Sequence, residues 1–158
     1  MKLFQYSSRI MLLTASIVCA AIWLYSLAVL VILRIRTGSL SKEEAETHYK
    51  AWFPDALVED MGKCAKSVKW VHILLLALMT VMWLFGSIEE QRILLTLAAS
   101  FGKICVWTLA AMLFFAAAYP LAGGRSERAA VISRSIRRQT VPMFVLIALY
   151  CAIIWLFG

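Results

Sequence analysis

Residues 10–33 read IMLLTASIVCAAIWLYSLAVLVIL, an uncharged apolar run closed on its far side by Arg34 and Arg36. As a helix rising 1.5 Å per residue it measures about 36 Å, enough to cross a hydrocarbon layer of about 30 Å. Lys2 and Arg9 precede it, as basic residues precede a secretory signal. A signal h-region is only about 7–15 residues long, however, and no small-residue cleavage site lies at the right distance before Arg34. The run is therefore expected to stay in the protein as a membrane helix.

Three further apolar runs follow, at 70–86, 93–121 and 141–157. The second and fourth fall short of the roughly 20 residues that a crossing needs, so each must recruit flanking turns or sit in a thinned bilayer. Hydrophobic residues make up 63% of the 158 and charged residues 16%. A soluble domain has roughly 45–50% and 25%, so this chain carries more apolar surface than a water-facing fold can bury. The expected fold is an all-α integral membrane protein, a single domain built as a four-helix transmembrane bundle. Its loops are 34–69 and 122–140. No internal repeat relates the two helical hairpins.

Loop charge sets the expected orientation, because basic segments resist translocation. Loop 34–69 carries Arg34, Arg36, Lys42, Lys50, Lys63, Lys66 and Lys69, and loop 122–140 carries Arg125, Arg128, Arg134, Arg137 and Arg138. The opposite side offers Lys2, Arg9 and Arg92. Twelve against three places both basic loops in the cytoplasm and both termini outside, in the inner membrane of a bacterium, although Lys2 and Arg9 by themselves argue for the reverse. The net charge of +7 does not point to nucleic acid, since the basic residues lie between apolar runs. There they meet anionic lipid headgroups.

The loops have patterns of their own. Ser41 with Glu44 three residues on is a capping-box spacing, which predicts a helix from Lys42 until Pro54 breaks it. Asp55 is placed to cap a second helix with Leu57, Met61, Ala65 and Val68 on one face, running on into the second span. Gly123 and Gly124 end the third span, and Ser126 restarts a helix. In that helix Ala129, Ile132 and Ile136 form an apolar edge beside the five arginines, the pattern of an amphipathic helix lying on the inner leaflet. Pro142 suits the first turn of the fourth span, where a missing N–H costs little.

Few residues carry chemistry. Lys103 is the one charged residue inside an apolar run; it is expected to snorkel to the outer interface, the alternative being a carboxylate partner, with Glu89 and Glu90 nearest in sequence. His72 lies one turn inside the second span. A haem held in a bundle generally needs two axial ligands, and the only other histidine, His48, belongs to a loop, so an interfacial histidine is the expected reading. Cys19, Cys105 and Cys151 fall at similar depths in spans one, three and four and could form a soft Cu(I) site. Cysteine in a membrane helix is more simply a small packing residue, and no metal or cofactor is expected. Without a CxxC pair, a thiol oxidoreductase is disfavoured. Trp70, Trp83 and Trp155 read as interfacial residues, Trp23 and Trp107 as residues packing the bundle. Ala98 and Gly102, at small-xxx-small spacing, mark the third span as the bundle centre or a docking face.

No Walker loop, GxSxG, HExxH or pair of intramembrane carboxylates is present. A non-catalytic protein is expected, working through helix–helix and loop contacts with another membrane protein or with itself. An accessory subunit and an immunity-type protein are the two forms considered. A small homo-oligomeric transporter or channel and a copper or redox protein are the alternatives.

Overall fold

A computed structural model describes residues 2–124 and 126–158. α4 (Ile88–Gly123) is the helix around which the others assemble, packing on α1 (Lys2–Thr37), α3 (Asp55–Phe85) and, most extensively, α5 (Glu127–Phe157). The short α2 (Lys42–Trp52) joins α1 to α3. No strand occurs among the described residues. Helices satisfy their backbone groups internally, which is the condition a lipid-facing chain must meet. α1, α3, α4 and α5 are each long and apolar enough to cross a membrane.

Interhelical contacts fix the directions. Arg9 meets Ser100, Ser16 meets Thr108 and Trp23 meets Phe115, so α1 and α4 run parallel. Cys105 faces Met143 while Ser133 faces Ala116, so α5 runs antiparallel to α4. α3 shares the direction of α5, with Lys69 beside Gln139 and Trp83 stacked on Phe157 at 4.0 Å. The start of α1 and the end of α5 consequently sit at one end of the bundle and the basic connections at the other.

α3 and α5 have 31 residues each, about 46 Å of helix. The short apolar runs at 70–86 and 141–157 thus belong to the C-terminal parts of longer helices that begin at the basic end. For α3 the face predicted from spacing is the face used: Met61, Ala65 and Val68 are fully buried and Leu57 partly so. Its N-cap is Pro54 rather than Asp55, whose carboxylate turns instead to Arg128.

The amphipathic helix expected at 122–140 is not a separate surface element. It is the first half of α5, and its apolar edge, Ala129, Ile132 and Ile136, is at most 1% exposed, packed inside the bundle instead of facing lipid. The Ser133 hydroxyl donates to the Ala116 carbonyl at 2.6 Å, and Ala129 closes on Gly123 so tightly that a Cβ there would collide. This packing carries the helix through Pro142, which lies inside α5 and not in its first turn. The ring removes one i→i−4 bond, a loss that membrane helices tolerate where a neighbouring helix or a hydroxyl side chain meets the freed backbone group.

The outward faces are apolar. Phe85, Trp155 and Leu3 are more than 80% exposed, amid many exposed Leu, Ile and Val side chains. Contiguous apolar surface beyond a few hundred Å² is rare on soluble monomers. Trp107, expected to pack the interior, is 77% exposed on the outside of α4, whereas Trp23 is buried as expected.

Candidate functional site

The polar groups inside the bundle are few and mostly paired. At the α3–α5 interface His72, fully buried, lies with Nδ1 3.1 Å from the Tyr150 hydroxyl, their rings edge to face. His72 Nε2 is buried without a hydrogen-bond partner. One turn towards the basic end, Lys69 Nζ donates to Gln139 Oε1 at 3.0 Å. Gly102 of α4 lets α5 come close, since a Cβ there would stand 3.4 Å from that of Tyr150, and Ala98, one turn earlier, is fully buried. Trp23 Nε1 donates to the Met61 carbonyl at 3.4 Å, and the Tyr119 hydroxyl donates to the Trp23 carbonyl at 3.0 Å. These bonds join helices and leave no continuous polar file among the residues they involve.

Lys103 lies on the exposed side of α4, outside the bundle interior. Glu89 and Glu90 do not reach it. They occupy the first turn of α4, about 20 Å along the helix, and Glu90 closes a capping box with Ser87. One cation does lie near Lys103, because Arg9 of α1 donates through Nη2 to Ser100 at 3.0 Å, one turn before Lys103 on the same helix. Arg9 Nε is buried and unpartnered, and no ion pair among the described residues involves Arg9 or Lys103. Sequence position alone gave Arg9 only as a topology marker; its register against Ser100 depends on how α1 packs on α4.

The three cysteines expected at similar depth do not converge. Cys19 is buried with its thiol 3.4 Å from the Cys64 carbonyl of α3, Cys105 is buried against the Met143 carbonyl at 3.9 Å, and Cys151 points outward. Among the described residues no three His, Cys, Asp or Glu are grouped to hold a metal. Cys64 comes beside Cys19 because α3 is one helix from Asp55 onward, the continuous extension into the second span that the spacing of Leu57, Met61, Ala65 and Val68 predicts.

The arginines at the basic end divide. Arg134, Arg137 and Arg138 are exposed on α5, as a lipid-facing set requires. Arg125 lies outside the described residues. Arg128 belongs to a different arrangement, since its side chain is only 14% exposed. It pairs with Asp55 at 2.8 Å and with Glu46 at 3.7 Å, and donates to the Phe53 carbonyl. It therefore clamps the α2–α3 corner onto the start of α5. Arg34 does related work at the end of α1 by donating to the Leu121 carbonyl near the end of α4. In α2 the Ser41–Glu44 capping box forms as the spacing predicted, and the Ser41 hydroxyl and amide hold the Glu44 carboxyl below its usual range.

Comparison with known protein families, with characterised proteins and with solved structures finds no match to this chain. Function has to be argued from the arrangement itself.

Proposed function

We infer that this chain is an integral membrane protein of four spans that acts by contact, as an accessory subunit of a membrane complex or as an immunity-type protein. The observation that carries this reading is the placement of its charge. The interior is packed with apolar side chains and interhelical polar pairs, while Arg9 and Lys103 stand at the α1–α4 seam and on the outer wall without an acidic partner among the described residues. A cation at membrane depth costs several kcal/mol unless it snorkels or meets an anion. An acidic group on a neighbouring membrane helix supplies that anion and makes the outer face of α4 a contact surface.

The membrane is a bacterial inner (plasma) membrane, with the basic end in the cytoplasm and both termini outside. The excess of Lys and Arg at that end supports this orientation. A homo-oligomeric transporter or channel would have to build its path between copies, because Lys103 looks away from the protomer's own interior.

Extraction of the tagged chain from its host in a mild detergent, followed by native mass spectrometry, tests the proposal. A second protein at fixed stoichiometry, lost from the Lys103→Met variant, is the expected result. A symmetric assembly of this chain alone would favour the transporter reading. A monomer carrying only lipid would overturn both.

A further inference from the structure

At the basic end, the ends of α1 and α4 and the starts of α2 and α5 enclose a polar cavity of about 280 Å³. Arg34, Lys42 and Tyr49 line it, with Gly124, Ser126 and a single acid, Glu46. Glu46 is directed to Arg128, and neither Arg34 nor Lys42 forms an ion pair among the described residues. Arg34 has five N–H donors and gives one to the Leu121 carbonyl. The cavity is thus left with uncompensated positive charge.

One lining residue, Ser126, is the N-cap of the long helix α5. The first N–H groups of α5 have no intrahelical acceptors, and Ser126, the N-cap residue, makes no side-chain cap to them. Ser126 is 5% exposed and its hydroxyl is buried without a hydrogen-bond partner. A buried hydroxyl is ordinarily satisfied, so an orphan at a cavity wall marks a place for a ligand atom. Gly124 turns the chain with φ of 56°, a conformation that glycine adopts freely, and a Cβ on it would stand 3.6 Å from Arg34 Nε. That turn brings the start of α5 beside the guanidinium.

We propose that this cavity binds a phosphate group, carried by an anionic phospholipid or free in solution. Arg34 supplies a guanidinium fork, Lys42 a second charge at the rim, and Ser126 a neutral hydroxyl donor. Helix N-termini and arginine forks both suit tetrahedral oxyanions. Asp55 and Glu127 line a separate cleft with Arg128, which Glu46 also borders, and Glu43 and Glu44 of the first turn of α2 are not among the residues lining the cavity. The site is independent of the contact reading above, since it involves neither Arg9 nor Lys103.

The test uses the full chain in phosphatidylcholine nanodiscs, probed in one arm with inorganic phosphate by equilibrium dialysis. In the other arm phosphatidylglycerol is doped into the disc and bound lipid is counted by native mass spectrometry. Saturable binding in at least one arm is expected, and the arm that responds identifies the source. Arg34→Gln and Ser126→Ala should each weaken it about tenfold or more, the loss of one charge-assisted contact. Arg36→Gln, which removes an equal charge just outside the cavity, should leave it unchanged. Lys42→Gln provides a variant at an exposed position in case Arg34→Gln unfolds the corner. Absence of binding in both arms, or equal weakening by Arg34→Gln and Arg36→Gln, would overturn the proposal.

Discussion

His72 and Tyr150 meet through a 3.1 Å hydrogen bond where α3 crosses α5, and each is at most 1% exposed. The bond leaves one ring nitrogen of the imidazole unsatisfied whichever tautomer is present. Tyr150 therefore meets the only partnered side of a buried polar group, and Tyr150→Phe strands both nitrogens. We expect Tyr150→Phe to lower stability by about 1–3 kcal/mol. A double-mutant cycle with His72→Leu should give a coupling of about 0.6–1.7 kcal/mol, from the average to the maximum found for interhelical bonds in a membrane bundle. Unfolding in mixed micelles measures both; a coupling near zero would mean the two rings merely pack.

Arg128 is the other residue whose loss should be felt in the fold. It holds Asp55, Glu46 and the Phe53 carbonyl from a largely buried position. Arg128→Met is expected to destabilise by about 1–2 kcal/mol and to speed proteolysis between Thr37 and Pro54. Asp55→Asn should cost less than about 1 kcal/mol, because that carboxylate is 86% exposed and screened by water. Limited proteolysis on both variants separates the clamp from a simple surface pair, for which neither change would alter the cleavage rate.

Local signals were readable in the sequence where chemistry depends on neighbours along the chain. The Ser41–Glu44 box, the end of α4 at Gly123 and the buried face of Met61, Ala65 and Val68 all follow from spacing. What spacing does not reveal is which surface meets which. Ala129, Ile132 and Ile136 make the same stripe whether the stripe lies on lipid or on α4, and only the approach of Gly123 and Ala116 decides for α4. Trp107 and Trp23 occupy similar depths in their runs, yet the rotation of each helix sends one outward and the other in. The site residues were legible only as candidates: Lys103 and His72 stood out by type, whereas Arg9, Gln139 and Tyr150 became relevant once three-dimensional partners were known.

The capping box of α2 gives a pH dependence with a definite sign. Hydrogen bonds from the Ser41 hydroxyl and amide lower the Glu44 pKa in the folded chain. A carboxyl lowered in this way adds stability above its unfolded pKa, about 4.3, and that contribution is lost as pH falls through the folded value. Hydrogen exchange across 42–52, corrected for intrinsic rates, should therefore rise in acid relative to the bundle. Glu44→Gln keeps a capping side chain but removes the titration, so its exchange should lack that acid-dependent increase. Parallel pH profiles for the two proteins would dismiss the box as the cause.

Orientation is open to a direct measurement. On a background with Cys19, Cys64, Cys105 and Cys151 replaced, Glu89→Cys should react with an impermeant maleimide in intact cells. Lys50→Cys and Arg134→Cys should react only after permeabilisation. Labelling of Arg134→Cys from outside would reverse the proposed topology and move the phosphate cavity to the outer face.

Lys103 separates the contact reading from a simpler one. A lysine that only snorkels spends its charge on lipid headgroups, so Lys103→Met would leave every association intact and stability equal or higher. A lysine that meets a neighbour's carboxylate behaves differently on two counts. Lys103→Met then abolishes association while the isolated chain inserts and unfolds as before, because the cation faces away from its own interior. Lys103→Arg should also weaken the complex, since a guanidinium does not fit a site shaped for a compact ammonium, whereas a snorkelling position accepts either. The decisive readouts are the partner's stoichiometry in native mass spectra and the unfolding midpoint of the isolated chain, taken on the same three proteins. A Lys103→Met chain that keeps its partner would assign this cation to lipid and leave Arg9 as the remaining charge at the α1–α4 seam on which a docking surface could be argued.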